Sequence, residues 1–289
     1  QGTRTGLLQI LAEKFKVGLD KIHIIADVNT KISPHDWATA ASRGLFMAGR
    51  ATIEAADDAI NQIKDTASHV LRCPIEDIEV AGDRVFIRNE KHIGLPLKDL
   101  VLGYVYENGN AIKGQVIGKG RYISRRLSGI DKETGEGHPA LEWTLGAEGV
   151  EVELDLKEYS YKILKAVCVM DVGKLINPAI ARGQIVGGMA MGLSFASNEA
   201  FIFNSRGQVT NDDLRSFKIM RYGEEPEYLV DYVETPQGDG PFGARGIGEQ
   251  SIIGMPSALA NALSRALGVQ LKALPLTPEN LWNAEKEVQ

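Results

Sequence analysis

One acid, Glu249, closes a glycine-rich run in GPFGARGIGEQS, residues 240–251. Glycine lets backbone or a ligand come close, and Gly246 and Gly248 stand three residues and one residue before it. The next stretch, IIGMPSALANALSRALG, has Leu259, Leu263 and Leu267 at helical spacing. A carboxylate on a loop that enters a helix is either a helix-entry charge or a general base, and residue types alone leave both readings open. Two other stretches share this bare character. ARGQIVGG places Gln184 among glycines, and HDWATAASRG presents Thr39, Ala40, Ala41 and Ser42 at an expected helix start. Gln184 read alone is a core amide, and Thr39 and Ser42 are helix caps. Taken together, the three stretches suit a cradle for a polar, phosphate-bearing cofactor, since helix starts and close backbone N–H groups favour such a group.

Other chemistries find less support. GARGIG is not the dinucleotide pattern G-x-G-x-x-G, and GQVIGKG lacks the spacing of a phosphate-binding P-loop. His23, His35, His69, His92 and His138 are scattered, without a His, Cys or acid at metal-ligand spacing, so no protein-held metal is expected. No G-x-S-x-G occurs. Cys73 and Cys168 are too few for an iron–sulfur cluster and are expected as buried free thiols. A net charge of −6 over 289 residues argues against nucleic acid or an anionic membrane as the main partner. No stretch has the length and apolarity of a membrane span, and a cytoplasmic location is expected. The first residue is Gln1 rather than Met, inside what reads as a loop-to-helix motif. The chain is therefore expected to be the downstream part of something longer, or a split subunit.

These residues must be positioned by larger elements. GTRTGLLQILAEKF carries Leu7, Leu8, Leu11 and Phe15 on one helical face, and KIHIIADV reads as a short strand. From Trp37 to Val70, Leu45, Ala48, Ile53, Ala56, Ile60, Ile63, Ala67 and Val70 keep helical spacing, which predicts one long helix with a stripe toward a core. IEVAGDRVFI reads as a hairpin about Gly82–Asp83, and LPLKDLVLGYVYE as another helix. VEVELDL and YKILKAVCVMD read as strands, NPAIARGQIVGGMAMGLSFAS as a closely packed helix, EAFIFNSRGQVTN as a hairpin turning at Arg206–Gly207, and EYLVDYVE as a further strand. The expected fold class is α+β: two mixed α/β units with mixed sheets packed against long helices, over residues 1–115 and 140–289, with 116–139 connecting them.

In order along the chain, these pieces resemble the molybdenum hydroxylases, the xanthine dehydrogenase and aldehyde oxidase family. The match is to the C-terminal part of the molybdopterin-binding subunit. QGTRTGLLQILAE resembles that family's G-Q-G-T segment, and TAASRG its pterin-contacting turn. MDVGKLINPAIARGQIVGGMAMGL is similar to its D-x-G-x-x-x-N-P … G-Q-x-x-G-G run. GPFGARGIGEQSIIGMPSALANAL … LPLTPENLW resembles its G-x-G-E loop, helix and tail. Departures also occur: FKIMRYGEEPEY lacks the usual Y-x-I-P-T, GLSFASNEA offers Glu199 alone where an acid pair is usual, and Val186 stands where many relatives carry Glu.

The resemblance implies that Glu249 is the general base beside the metal, deprotonating the water-derived oxygen that adds to an electron-poor carbon of an N-heterocycle or aldehyde. It implies that Gln1, Gly2, Thr39, Ala40, Ala41, Ser42, Gln184 and Gly248 contact molybdopterin, as such or as its cytosine dinucleotide, and that molybdenum is held by the pterin dithiolene rather than by protein ligands. It implies partners as well: a companion large subunit or upstream half, and Fe–S and FAD chains that carry electrons away. Two rival readings stay open here. One is a non-catalytic interaction lobe that completes a cofactor site only with a partner chain. The other is a hydrolase using Glu249 with a histidine.

Overall fold

The structure is a computed structural model and describes residues 1–33, 35 and 38–287. The chain divides into two compact units. One comprises residues 2–141 and 237–244, and the other residue 1, 142–236 and 245–289.

In the first unit, α1 (Thr3–Phe15) lies against α2 (Gly44–Leu71). Gly6 and Ile10 make the buried face of α1, and a Cβ on Gly6 would meet Leu45 at 2.8 Å. Along α2 the buried positions are Phe46, Gly49, Ile53, Ala56, Ile63, Thr66 and Ala67. The stripe thus begins one residue later than the Leu45 and Ala48 expected, because Gly49 faces Ile10 and Pro241 with no room for a side chain. The helix expected from Trp37 starts at Gly44. Trp37 itself lies outside the described residues, and 38–43 precede the helix. Strands β1 (Ile78–Ala81), β2 (Arg84–Ile87) and β3 (Glu90–Pro96) form an antiparallel meander, and β4 (Tyr104–Val105) pairs with β5 (Ala111–Ile112). The core behind the meander gathers Ile63, Ala67, Ile78, Val80, Val85 and Leu100.

Two expectations fail in this unit. Residues 21–28 form no strand: Leu19–Lys21 make a 3-10 turn, and Ile25 and Val28 are 88% and 91% exposed. The run is apolar but, among the described residues, pairs with no strand that could take up its backbone groups. LPLKDLVLGYVYE is not a helix either. Leu95 pairs with Val85 in the sheet, Leu97–Asp99 make one 3-10 turn, and Gly103 turns the chain at φ 91° into β4. Pro96 has no N–H to carry a helix through, and Gly103 supplies a backbone angle that other residues resist.

The stretch from Val116 to Arg121 follows α2 as a strap. Gln62 exchanges hydrogen bonds with Ile117, accepting its N–H and donating to its carbonyl. Asp58 Oδ2 accepts from Lys119 N–H at 2.9 Å and Glu54 Oε2 from Arg121 N–H at 3.2 Å. Acceptors four residues apart share one helix face, so they meet every second N–H of an extended chain. Gly118 and Gly120 allow this: a Cβ would sit 2.2 Å from Ala55 O and 1.9 Å from Ala51 O respectively.

In the second unit, β6 (Gly146–Leu154) pairs antiparallel with β7 (Tyr161–Asp171), which pairs in parallel with β8 (Glu227–Val233). A parallel neighbour requires a crossover, and α3 (Pro178–Ser197) lies within it, with the one-turn α4 (Leu214–Phe217). The expected hairpin is present in reduced form, as a single bridge between Phe203 and Val209 closed by Asn204 and Gly207. Three helices finish the unit: α5 (Gln250–Ile253), α6 (Met255–Leu267) and α7 (Pro278–Lys286). Its core joins Ile163, Cys168 and Met170 of the sheet to Ile185, Met189 and Leu193 of α3 and Leu259 and Leu263 of α6. Both units mix helices with sheets, as expected. The difference is that the three-stranded sheet of the first unit is wholly antiparallel, so among the described residues the mixed sheet lies in the second unit. Among the described residues no helix is long and apolar enough to cross a membrane.

Candidate functional site

In the second unit, Glu249 is the N-cap of α5; its side chain is exposed and makes no capping hydrogen bond. Its N–H donates to Gln250 Oε1 at 3.1 Å, and Gln250 Nε2 donates to the Gly246 carbonyl at 2.5 Å, which closes the loop around Gly248. Beneath the loop, α5 is seated on α3. Ser251, fully buried, donates its hydroxyl to the Ile185 carbonyl at 2.9 Å. A Cβ on Gly188 would fall 2.1 Å from Ser251 Oγ, and one on Gly192 would fall 2.9 Å from the Ile252 carbonyl. Gly188, the last residue of the G-Q-x-x-G-G run, and Gly192 one turn further along α3 therefore give α5 its seat. Gln184, half-buried, precedes Ile185 on the same helix, so Gln184 and Glu249 come from two elements in direct contact.

The other end of the loop is pinned by Arg245, which sequence reasoning did not single out. Its guanidinium donates to Glu142 Oε2 at 3.0 Å, to the Trp143 carbonyl at 3.4 Å and to the Thr235 carbonyl at 3.3 Å, and lies 3.6 Å from Asp171 Oδ1. Its own N–H donates to the Val172 carbonyl. One side chain thus ties the approach to β6, the end of β7 and the segment after β8 to the G-x-G-E loop. Burial pushes the Asp171 carboxyl up, but the Gly173 and Thr235 N–H groups, the Thr235 side chain and Arg245 more than offset this and hold it below the usual carboxylate range. For Glu142 the balance is reversed: burial outweighs Arg245, and its carboxyl lies above the usual range. The sequence signal was an arginine among glycines, but its partners lie as much as 103 residues away.

The D-x-G-x-x-x-N-P run is architectural at both ends. Asp171 holds the backbone of Gly173 and Thr235, and Asn177 caps α3 by accepting from Ile180 N–H at 3.0 Å, with Pro178 at the first helical position. In the tail, Thr277 caps α7 in the same way, followed by Pro278.

In the first unit, Gly2 is the N-cap of α1 at φ 84°, and Arg43 that of α2. Neither helix has a side-chain cap, and neither carries an acid in its first turn. The N-cap position of α2 is thus taken by Arg43 rather than by the expected Thr39 or Ser42. Thr39 and Ala40 lie in an exposed loop, and Ala41 and Ser42 follow with φ of 54° and 56°. Two successive left-handed residues turn the chain sharply into the helix, at a strain that functional sites often carry. A Cβ on Gly44 would lie 3.4 Å from Thr39 Cγ2 and 3.8 Å from Thr3 Oγ1, so the starts of both helices come together here. Helix starts without side-chain caps or acids favour an anionic group, and hydroxyls and backbone N–H groups add no charge of their own. The donor set fits a phosphate-bearing pterin. Gln1 is exposed and groups with the second unit rather than with Gly2. Among the described residues no cluster of His, Cys, Asp and Glu could hold a metal ion, and both cysteines are free, Cys168 buried and Cys73 partly so.

Comparison with known proteins bears on the family and the fold. Residues 1–226 match the molybdopterin cofactor-binding domain, and the chain belongs to that family. It is 27% identical over 292 residues to the gamma subunit of the 6-hydroxypseudooxynicotine dehydrogenase complex of Paenarthrobacter nicotinovorans, covering 98% of this chain and 34% of that protein. It is 28% identical over 286 residues to a putative xanthine dehydrogenase molybdenum-binding subunit of Escherichia coli, covering 98% of this chain and 36% of that one. In fold it is similar to quinoline 2-oxidoreductase from Pseudomonas putida 86, with a TM-score of 0.83 at 24% identity over 99% of this chain and 35% of that one. The chain thus spans about a third of the length of the curated relatives it matches. The resemblance to the molybdopterin-binding subunit of the molybdenum hydroxylases is borne out at the level of family and fold.

Proposed function

We propose that this chain is the pterin-binding part of a molybdenum hydroxylase that acts on an N-heterocycle or an aldehyde, with Glu249 as its general base. The observation that carries the reading is Glu249 itself: an exposed carboxylate on a loop pinned by Arg245 at one end and seated on α3 through Ser251 at the other. A base must be held within hydrogen-bond reach of the proton it takes, and fixing both flanks of the loop achieves this without burying the acid. A carboxylate oxygen of Glu249 takes the proton of the water-derived oxygen as that oxygen attacks the electron-poor carbon. Such assistance is typically worth about 10²–10⁴-fold in rate.

The bound pterin and its molybdenum supply the two-electron acceptor. Gly2 and Thr39 to Ser42, with Ala40 and Ala41, would hold the pterin through hydroxyls and backbone N–H groups; Gln1, Gln184 and Gly248 would contribute amide and backbone contacts. The donor set serves the plain pterin and its cytosine dinucleotide form alike. Electrons leave through Fe–S and FAD partner chains, with a companion subunit or upstream half completing the substrate site, in a cytoplasmic assembly.

Metal and pterin content separates this reading from a lobe that only supports a partner. The chain purified with its companion is expected to carry molybdenum and pterin, and replacing Ser42 and Thr39 with Val is expected to lower the content of both while the chain stays folded. Full cofactor content in that double variant contradicts the assignment of the 39–42 turn.

A further inference from the structure

At the far end of α5, a second carboxyl meets the element that presents Glu249. Glu148 lies on β6, opposite Cys168 of β7 in the antiparallel register. Its side chain reaches the joint between α5 and α6, and that joint is one residue, Gly254, which closes α5 and caps α6. A Cβ on Gly254 would lie 2.7 Å from Glu148 Oε2 and 2.9 Å from its carboxyl carbon, so the carboxyl occupies the space a side chain would need. Oε1 accepts a long hydrogen bond from the Cys168 thiol at 3.8 Å. Oε2 is shut off from water and makes no hydrogen bond of good geometry.

A carboxyl so placed is a wedge whose fit depends on its charge. From β7 it faces the Cys168 thiol and from the α5–α6 joint the backbone of Gly254, and among the described residues no charged side chain acts on it. Burial pushes Glu148 up to about 7, against the smaller opposing pull of the thiol and the Gly254 amide. A neutral acid tolerates a buried oxygen without a partner far better than a carboxylate does. The start of α6 draws negative charge toward it, so both forms are within reach near neutral pH.

α5 is a single turn of four residues, with Glu249 before it and Gly254 after it. Its inner side is fixed to α3 by Ser251 above Gly188. A turn this short, held at its middle, passes a displacement at one end to the other.

We infer that Glu148 is a positioning residue for Glu249: as a neutral carboxyl it fills the space beneath the α5–α6 joint and holds the turn that presents Glu249, and as a carboxylate it releases that joint. The inference rests on the reading of Glu249 as the general base, but its structural half can be tested apart from turnover.

The experiment uses the assembled enzyme that contains this chain. Turnover and the hydrogen-exchange protection of residues 249–255 are followed together against pH, in the wild type and in Glu148→Gln. In the wild type, turnover above the midpoint is expected to fall about tenfold per pH unit, as for any step that needs one neutral acid, and protection is expected to fall with it. Glu148→Gln is expected to keep low-pH turnover and protection throughout, since Gln has the shape of the neutral acid. Gly254→Ala, which presses on the same carboxyl from the other side, is expected to lose protection at every pH. Identical pH dependences of protection in the wild type and Glu148→Gln overturn the inference. Glu249→Gln separates the two ideas: normal turnover in that variant defeats the base assignment alone, while its exchange protection still reports on Glu148.

Discussion

Ser251 Oγ donates to the carbonyl of Ile185 at 2.9 Å, and this single bond fixes the turn after Glu249 to the helix that carries Gln184. The two residues stand 66 positions apart in the chain. Their meeting depends on Gly188, where a Cβ would come within 2.1 Å of the Ser251 hydroxyl. Gly188→Ala is therefore expected to force α5 off its seat at a cost of about 1–3 kcal/mol, the range for overpacking a tight interface. Ser251→Ala, which removes the bond but not the fit, is expected to cost about 1 kcal/mol. Urea unfolding of the two variants measures both, and a larger loss for Ser251→Ala than for Gly188→Ala contradicts this order.

Arg245 sets the other boundary of the loop. Removing it leaves Glu142 and Asp171 facing each other's negative charge in a partly buried place. Arg245→Met is expected to destabilise the chain by about 3 kcal/mol, the low end for breaking a buried pair at one partner. Adding Glu142→Gln is expected to recover part of that loss, because the stranded charge goes with it. A double variant less stable than the single one by the full cost of Glu142→Gln shows that the two side chains are not coupled.

The strap along α2 gives a prediction far from the loop. Gly120→Ala places a carbon 1.9 Å from the Ala51 carbonyl, which is backbone and cannot rotate away. The strap is expected to lift from the helix, breaking the bonds of Lys119 to Asp58 and of Arg121 to Glu54. Limited trypsin digestion, which cuts after Lys119 and Arg121, is expected to speed up by about tenfold or more, as a loss near 1.4 kcal/mol implies for local opening. An unchanged cleavage rate contradicts the packing described.

Glu148 predicts the sign of a pH effect on stability. The folded chain holds this proton up to about 7, whereas the ordinary value is 4.5. The folded state therefore binds more protons than the unfolded state between those values, and the stability contributed by Glu148 falls as pH rises through that window and levels off above it. The upper bound is about 3 kcal/mol, reduced by whatever water reaches this half-buried group. Asp171 acts in the opposite sense at lower pH: its carboxyl lies below the usual range, so its contribution is present above the unfolded value and lost on acidification. Chemical unfolding of the wild type and Glu148→Gln between pH 5 and 8 isolates the first effect, and a difference that grows in favour of the wild type as pH rises contradicts it.

Much of this arrangement was legible in the residues. Period-3.6 stripes gave the body of α2 and α6, small close-packing residues gave α3, and strict alternation in VEVEL gave β6; α1 was also legible as a helix, but its buried residues are Gly6 and Ile10 rather than the Leu7, Leu8, Leu11 and Phe15 expected. Gly188 of the G-Q-x-x-G-G run and the N-P cap kept the roles their chemistry suggests, one as a seat and the other as a helix start. Residues 21–28 and 95–107 misled for a shared reason: apolar spacing says that a face can be buried but not whether a partner strand exists, and Pro96 and Gly103 ended a helix whose side chains permitted it. Arg245 and Glu148 stayed hidden because their meaning lies in partners from other elements, Glu142 and Thr235 for one, Cys168 and Gly254 for the other. The strap at Ile117, Lys119 and Arg121 was hidden in the same way: its period of two is written in the acceptors on α2 rather than in the segment itself.

Glu249→Gln in the assembled enzyme tests the central claim most directly. Molybdenum and pterin content and the exchange protection of 249–255 are expected to match the wild type, because the amide keeps the shape of the acid, while turnover falls by about 10²–10⁴-fold because it cannot take the proton. Turnover within a few-fold of the wild type at equal cofactor content contradicts the account.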